Sequence, residues 1–191
     1  MHIRSRVCRF AVIAGCLLTP LAAWAGGRSL LQEMAGTWSV KEWMWPGPGM
    51  KALDLPPALA YRQLIDGKFL QERMSALAGS KDAFTRISYL NQNPESGQYE
   101  YFSIDTRAPQ MMNERSEGAV RPDSAIDLYG GIFVATQWGS ATNVPFRYRI
   151  VVYPVRDNTQ TVELYLTPMP AAQSRSFLAF KYVYTRRPAG R

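Results

Sequence analysis

From Gly36 onward the apolar and polar residues alternate with a period close to 2, as half-buried strands require. In residues 38–45 the side chains of Trp38, Val40, Glu42 and Met44 share one face. Before Gly36 the period is nearer 3.6: Leu30, Leu31 and Met34 line one side of a short helix predicted over residues 29–35, with Ser29 as its N-cap and Gly36 as its stop. Further strands are predicted over residues 59–65, 68–76, 84–90, 99–104, 111–117, 125–136, 146–155, 161–167 and 177–186. Asp66-Gly67 and Asp157-Asn158 mark tight turns between neighbouring strands. Residues 46–57, rich in Gly and Pro, are predicted to be a surface excursion without regular structure. About ten strands joined as sequential hairpins, with no second helical layer, point to an all-β, up-and-down antiparallel barrel with a short N-terminal helix. Such a sheet must close or stack, because an open one leaves long edges unpaired. A two-sheet sandwich is the alternative.

The first 25 residues follow another logic. Residues 1–9 are basic, residues 10–23 are apolar, and Ala23-Trp24-Ala25 puts small residues at the positions a signal peptidase reads. A cleavable secretory signal over residues 1–25 is predicted, leaving residues 26–191 as a single exported domain, in a bacterium the periplasm. The apolar stretch is broken by Gly15 and Pro20 and is shorter than the roughly 20 residues of a spanning helix, so no transmembrane span is expected. Ile13-Ala14-Gly15-Cys16 resembles a lipobox, and lipidation at Cys16 is the alternative route.

Removing that segment changes the chemistry available. The chain has 22 Lys and Arg against 15 Asp and Glu, a net charge of +7. Arg4, Arg6 and Arg9 go with the signal, leaving 19 basic against 15 acidic residues, a net of +4. His2, Cys8 and Cys16, the only histidine and cysteines, go too. The remaining domain has no Ser-His-Asp triad, Cys nucleophile or ordinary zinc site. A modest, scattered positive charge without a basic stripe argues against nucleic acid. No Gly-rich loop follows a strand and opens a helix, so no nucleotide cofactor is indicated.

Three fragments carry a resemblance: Leu31-Gln32-Glu33-Met34-Ala35-Gly36-Thr37-Trp38, with a Gly-x-Trp between helix and first strand; Leu64-Ile65-Asp66-Gly67-Lys68-Phe69-Leu70; and Tyr182-Val183-Tyr184-Thr185-Arg186-Arg187. In this order they resemble the bacterial domain-of-unknown-function family 1579, a lipocalin-like group among the calycin barrels, over roughly residues 29–187. The resemblance implies that Trp38 packs across the closed end of a barrel, with Arg186 or Arg187 over its ring. It supplies no substrate. Related haem-holding barrels ligate iron through histidine, which residues 26–191 lack, so no cofactor is assigned.

Candidate binding residues follow from the faces of the strands. If Trp38 faces inward, Glu42 does too, either to meet a polar ligand head or to pair with an arginine of another strand. Arg73, at strand period with Phe69 and Gln71, is expected to point inward and, with Tyr89 and Tyr101, to cradle a ligand; a solvated exterior Arg73 is the competing reading. Tyr148 stands in the apolar stripe Phe146, Tyr148, Ile150 and Val152. The carboxylates Glu100, Asp105, Glu114 and Glu117 read as surface charge. Met111 and Met112, with Met44, Met50 and Met74, read as core or rim packing rather than as a copper site. The expected function is an exported barrel that holds a small, largely apolar or amphipathic ligand, with no catalysis implied. A packed structural or interaction module of the cell envelope, a homo-oligomer being one version, is the alternative. An enzyme working through Tyr, Arg and carboxylates is a third reading.

Overall fold

The computed structural model describes residues 25–81, 83–138, 141–170 and 175–188. A helix, α1 (Ala25–Met34), leads into ten strands: β1 (Gly36–Met44), β2 (Leu53–Ile65), β3 (Phe69–Ala76), β4 (Thr85–Gln92), β5 (Tyr99–Asp105), β6 (Ala108–Val120), β7 (Ile126–Trp138), β8 (Ala141–Val152), β9 (Thr159–Pro168) and β10 (Phe177–Arg186). Each strand pairs antiparallel with its sequence neighbours, and β1 pairs with β10, so the sheet closes into a barrel without edges. The sandwich alternative is thereby set aside. Among the described residues no helix is long and apolar enough to cross a membrane.

The turns follow their chemistry. Asp66 and Gly67 both take positive φ, as do Asp157 and Asn158, and they carry the β2–β3 and β8–β9 hairpins. Gly36 has a φ of +128°, and a Cβ there would lie 2.7 Å from the Arg186 guanidinium, so the passage from helix to strand depends on glycine.

Three sequence expectations are corrected. The helix starts at Ala25, so Ser29 lies within it and is not its cap. Residues 53–57, expected in the irregular excursion, belong to β2. Pro56 and Pro57 enter a strand because the β1–β2 register shifts there: Val40 faces Ala58 but Glu42 faces Leu55. The extra residue on β2 makes a bulge, where a residue without an N–H costs no ladder bond. Finally, Ile65 pairs with Phe69 across residues 66–68, one residue later than a two-residue loop implies.

Strand pleating fixes what enters the barrel. In β1, Trp38, Val40 and Glu42 are buried while Ser39 and Lys41 are exposed; in β2 the buried set is Ala58, Ala60 and Arg62. Two apolar clusters result. Leu31 and Met34 of α1 pack with Leu70, Leu90, Ile126, Leu128, Ile150 and Val152 at one end of the barrel. Trp38, Val40, Ala58, Ala60, Met74, Phe84, Tyr182 and Tyr184 form the second, along β1 to β4 and β10.

Candidate functional site

At the helix end Trp38 is fully buried. Its Nε1 donates to the Met34 carbonyl at 3.0 Å, and the Arg186 guanidinium lies 4.2 Å from its ring centroid. Arg186 donates through Nη1 to the Ala35 carbonyl and through Nη2 to the Glu33 carbonyl. Carbonyls at a helix C-terminus lack intrahelical donors and carry the negative end of its dipole, so an arginine fork meets both needs. Arg187 donates its backbone N–H to Thr37 O at 2.8 Å. We expect Arg186→Lys, which keeps the charge and loses the fork, to lower unfolding free energy by about 1 kcal/mol in guanidinium titrations.

Below Trp38 lies a charged run, buried at Arg62, Glu72, Arg86 and Glu42 and partly exposed at Asp105 and Arg107. Arg62 donates through Nε to Glu72 Oε2 at 2.7 Å and through Nη1 to Gln160 Oε1, and its guanidinium lies 3.9 Å from the Tyr184 ring centroid. Arg86 Nη2 donates to Glu72 Oε1 and to the Tyr184 hydroxyl, both at 2.7 Å. Burial alone raises the Glu72 carboxyl, but the two guanidinium groups override it and bring it down to about 2. Arg86 stands opposite Asp105 in the β4–β5 ladder. Arg107, in the β5–β6 turn, holds Asp105 through Nη2 at 2.7 Å and reaches across the barrel to Glu42 Oε2 through Nη1 at 2.9 Å. Its guanidinium covers the Phe84 ring at 3.8 Å. Burial raises the Asp105 carboxyl and lowers Arg107, yet their hydrogen bonds and mutual attraction reverse both shifts.

The result is an alternating run, Arg62, Glu72, Arg86, Asp105, Arg107 and Glu42, from beneath Trp38 towards the end away from α1. Two of its buried atoms lack a hydrogen-bond partner: Arg86 Nε, a donor, and Glu42 Oε1, an acceptor. Both residues flank Tyr182. The Arg86 guanidinium lies 4.6 Å from its ring, and Glu42 faces it across the β1–β10 ladder. Burial and the neighbouring carboxylates raise the Tyr182 hydroxyl well above its ordinary range, against the pull of Arg86 and Arg107, so it stays protonated.

An aromatic wall meets this polar run. Phe133 lies 5.9 Å from Phe146, which lies 6.4 Å from Phe177, and Phe180 stacks on Tyr182 at 6.1 Å. The barrel away from α1 is therefore divided between rings of β7, β8 and β10 and charges from β1, β4 and β5. That division suits a molecule with an apolar body and a polar head.

The sequence-derived candidates separate on this geometry. Glu42 is buried and faces inward. Tyr101, opposite Leu90 in the ladder, also faces inward, near Arg86 and Tyr184. Tyr148 is buried with its ring against Gly130. Arg73 and Tyr89 do not join them. Arg73 is exposed, with Ile87 and Tyr61 as its ladder neighbours, and Tyr89 accepts a hydrogen bond from Gln71 Nε2 at 2.7 Å in an outer row with Gln63. The inward expectation for these two is thus corrected by one residue, because a single register step exchanges the faces of a strand. Exposed Phe69 is the misleading anchor; Leu70, Glu72 and Met74 are the buried set.

Sequence reasoning missed Arg62, Glu72, Arg86 and Arg107. A signal for the first two was present: Arg62 continues Ala58 and Ala60 at period 2, and Glu72 stands between Leu70 and Met74. Asp105, read as surface charge, anchors Arg107. The side chains of Met111, Met112, Glu114 and Glu117 lie outside the described residues.

No curated protein matches the chain. Residues 26–186 match the family described as protein of unknown function (DUF1579). With the closed ten-strand barrel and its helix in place, the chain belongs to that family.

Proposed function

We propose that this barrel binds a small, largely apolar molecule with a polar head in its interior, and that it holds its ligand without covalent chemistry. The observation that carries the reading is that two of the four buried, unpartnered side-chain atoms among the described residues, Arg86 Nε and Glu42 Oε1, flank Tyr182 beside an aromatic wall, the other two being Tyr99 Oη and Asp127 Oδ1. A buried polar atom left unpaired costs about 1–3 kcal/mol, and a ligand head that satisfies two of them recovers that cost on binding. The apolar body gains about 25 cal/mol per Å² removed from water, offset by the freedom lost on association. A packed interaction module leaves Arg86 Nε and Glu42 Oε1 without a role. Glu42, Tyr101, Tyr148, Tyr182 and Arg86 are the proposed ligand contacts, while Trp38 and Arg186 close the helix end. The charge and apolar pattern of residues 1–25 supports an exported protein acting in the bacterial envelope.

Native mass spectrometry of the protein purified gently from its own host tests this. We expect an added mass that leaves on denaturation, on a chain beginning at Gly26. A bare monomer in repeated preparations overturns the binding reading. A bare dimer overturns it in favour of an interaction module, and a lipidated Cys16 overturns only the cleavage site.

A further inference from the structure

Resting on that reading, we infer that the ligand's head is electrically neutral and carries both a hydrogen-bond donor and an acceptor, as a carboxamide does, and that a free carboxylate is disfavoured.

The argument begins with charge. Among the described side chains, the run from Arg62 to Glu42 holds three guanidinium groups and three carboxylates. Each neighbouring pair is in contact or adjacent in the ladder: Arg62 with Glu72, Glu72 with Arg86, Arg86 with Asp105, Asp105 with Arg107, and Arg107 with Glu42. The run is neutral. A ligand carboxylate would add a fourth anion to a region where Arg62 and Arg86 are already committed to Glu72, and Arg107 to Asp105 and Glu42. A ligand ammonium group would be the fourth cation. Either would be a buried charge without its own counter-charge, which is strongly unfavourable.

The second line is hydrogen-bond capacity. Among the run's fully buried side-chain atoms, two are left without a partner: a donor, Arg86 Nε, and an acceptor, Glu42 Oε1. Both belong to charged residues, so bonds to them are stronger than neutral ones although the head itself carries no charge. Arg86 Nε calls for a ligand acceptor such as a carbonyl oxygen. Glu42 Oε1, with the other carboxylate oxygen taken by Arg107, calls for a ligand N–H or O–H. Tyr182 lies beside both residues and stacks on Phe180, so the head meets the apolar wall there. A carboxylate offers acceptors only and leaves Glu42 Oε1 facing another oxygen. An ammonium group offers donors only and leaves Arg86 Nε unmet.

Competition against a neutral fluorescent probe, N-phenyl-1-naphthylamine, separates the possibilities at pH 7.5. Dodecanamide, dodecanoate and dodecylammonium share one chain and differ only in the head. We expect dodecanamide to displace the probe at concentrations at least about tenfold lower than either charged compound. Glu42→Gln removes one carboxylate, leaves the run with an excess cation, and is expected to shift the dodecanoate-to-dodecanamide preference towards the acid by about tenfold or more. Circular dichroism confirms that the variant is folded; should it not fold, the comparison in the unaltered protein decides alone. Equal or tighter binding of dodecanoate or dodecylammonium overturns the inference about the head and leaves the binding reading standing, as does a bound probe that none of the three displaces. Failure of the probe itself to bind overturns the binding reading, and this inference with it.

Discussion

Glu72→Gln is expected to lower the unfolding free energy by about 3–5 kcal/mol at pH 7, with a matching fall in the guanidinium midpoint. Glutamine keeps the shape and one acceptor but removes the charge that Arg62 and Arg86 share. Both guanidinium groups are buried in the barrel wall, each 2.7 Å from one Glu72 oxygen. Loss of one neutral hydrogen bond alone costs about 1 kcal/mol, so the larger figure measures the buried cations left facing each other. Arg73→Gln, one residue away on the outer face, is expected to stay within about 0.5 kcal/mol of the parent. A large effect at Arg73 and a small one at Glu72 would reverse the assignment of faces in β3.

The same carboxylate makes the barrel acid-sensitive. The Glu72 carboxyl titrates near 4.5 in an unfolded chain and at about 2 in the fold. Between those values the unfolded state binds more protons, so stability falls as the pH falls. The contribution is complete above about pH 4.5 and is lost progressively towards pH 2. Guanidinium titrations at pH 6, 4 and 3 should show a steeper decline for the parent than for Glu72→Gln, which has no carboxyl there to protonate. Asp105, also lowered by Arg107, adds an acid-sensitive component common to both proteins.

Why the strands were legible and the charged run was not has a physical cause. Pleating and turn chemistry are local: the alternation around Trp38, the Asp66-Gly67 turn and the Asp157-Asn158 turn act within a few residues, and they lead to ten sequential hairpins. Closure follows from the cost of unpaired edges. The contacts that build the site are remote in sequence. Arg86 and Tyr184 are 98 residues apart, as are Arg62 and Gln160, and Arg107 and Glu42 are 65 apart. Which inward residues meet depends on the stagger of the closed barrel, and hence on every register shift along it, including the bulge at Pro56 and Pro57. In β3 each face carries one charge, Glu72 or Arg73, and each has an apolar anchor, Leu70 or Phe69, so alternation alone could not choose between them.

Among the glycines, sequence makes no distinction that the barrel enforces. Gly118→Ala is expected to destabilise the protein by about 3 kcal/mol, the upper end of ordinary overpacking costs, while Gly131→Ala is expected to be neutral or stabilising by up to about 0.5 kcal/mol. Gly118 lies in β6 opposite Leu128 of β7 and Tyr99 of β5. A Cβ there would stand 1.8 Å from the Asp127 carbonyl oxygen, 2.7 Å from its carbonyl carbon and 3.0 Å from Leu128 Cα. These are backbone atoms of the neighbouring strand, and no rotamer change removes them. The two strands must separate, weakening the β6–β7 ladder from Glu117 to Val120. At Gly131, in the bulge where β7 slips between Tyr129 and Ile132, a Cβ meets nothing within 4 Å. Gly130 falls between the two: its Cβ would strike the Tyr148 ring at 1.7 Å, an obstacle made of side-chain atoms. Guanidinium midpoints rank the three, and amide hydrogen exchange locates the damage. Faster exchange in Gly118→Ala should concentrate in β6 and β7 and spare the β1–β2–β3 seam. Equal midpoints for Gly118→Ala and Gly131→Ala would mean that β6 and β7 do not approach each other as closely as this barrel requires.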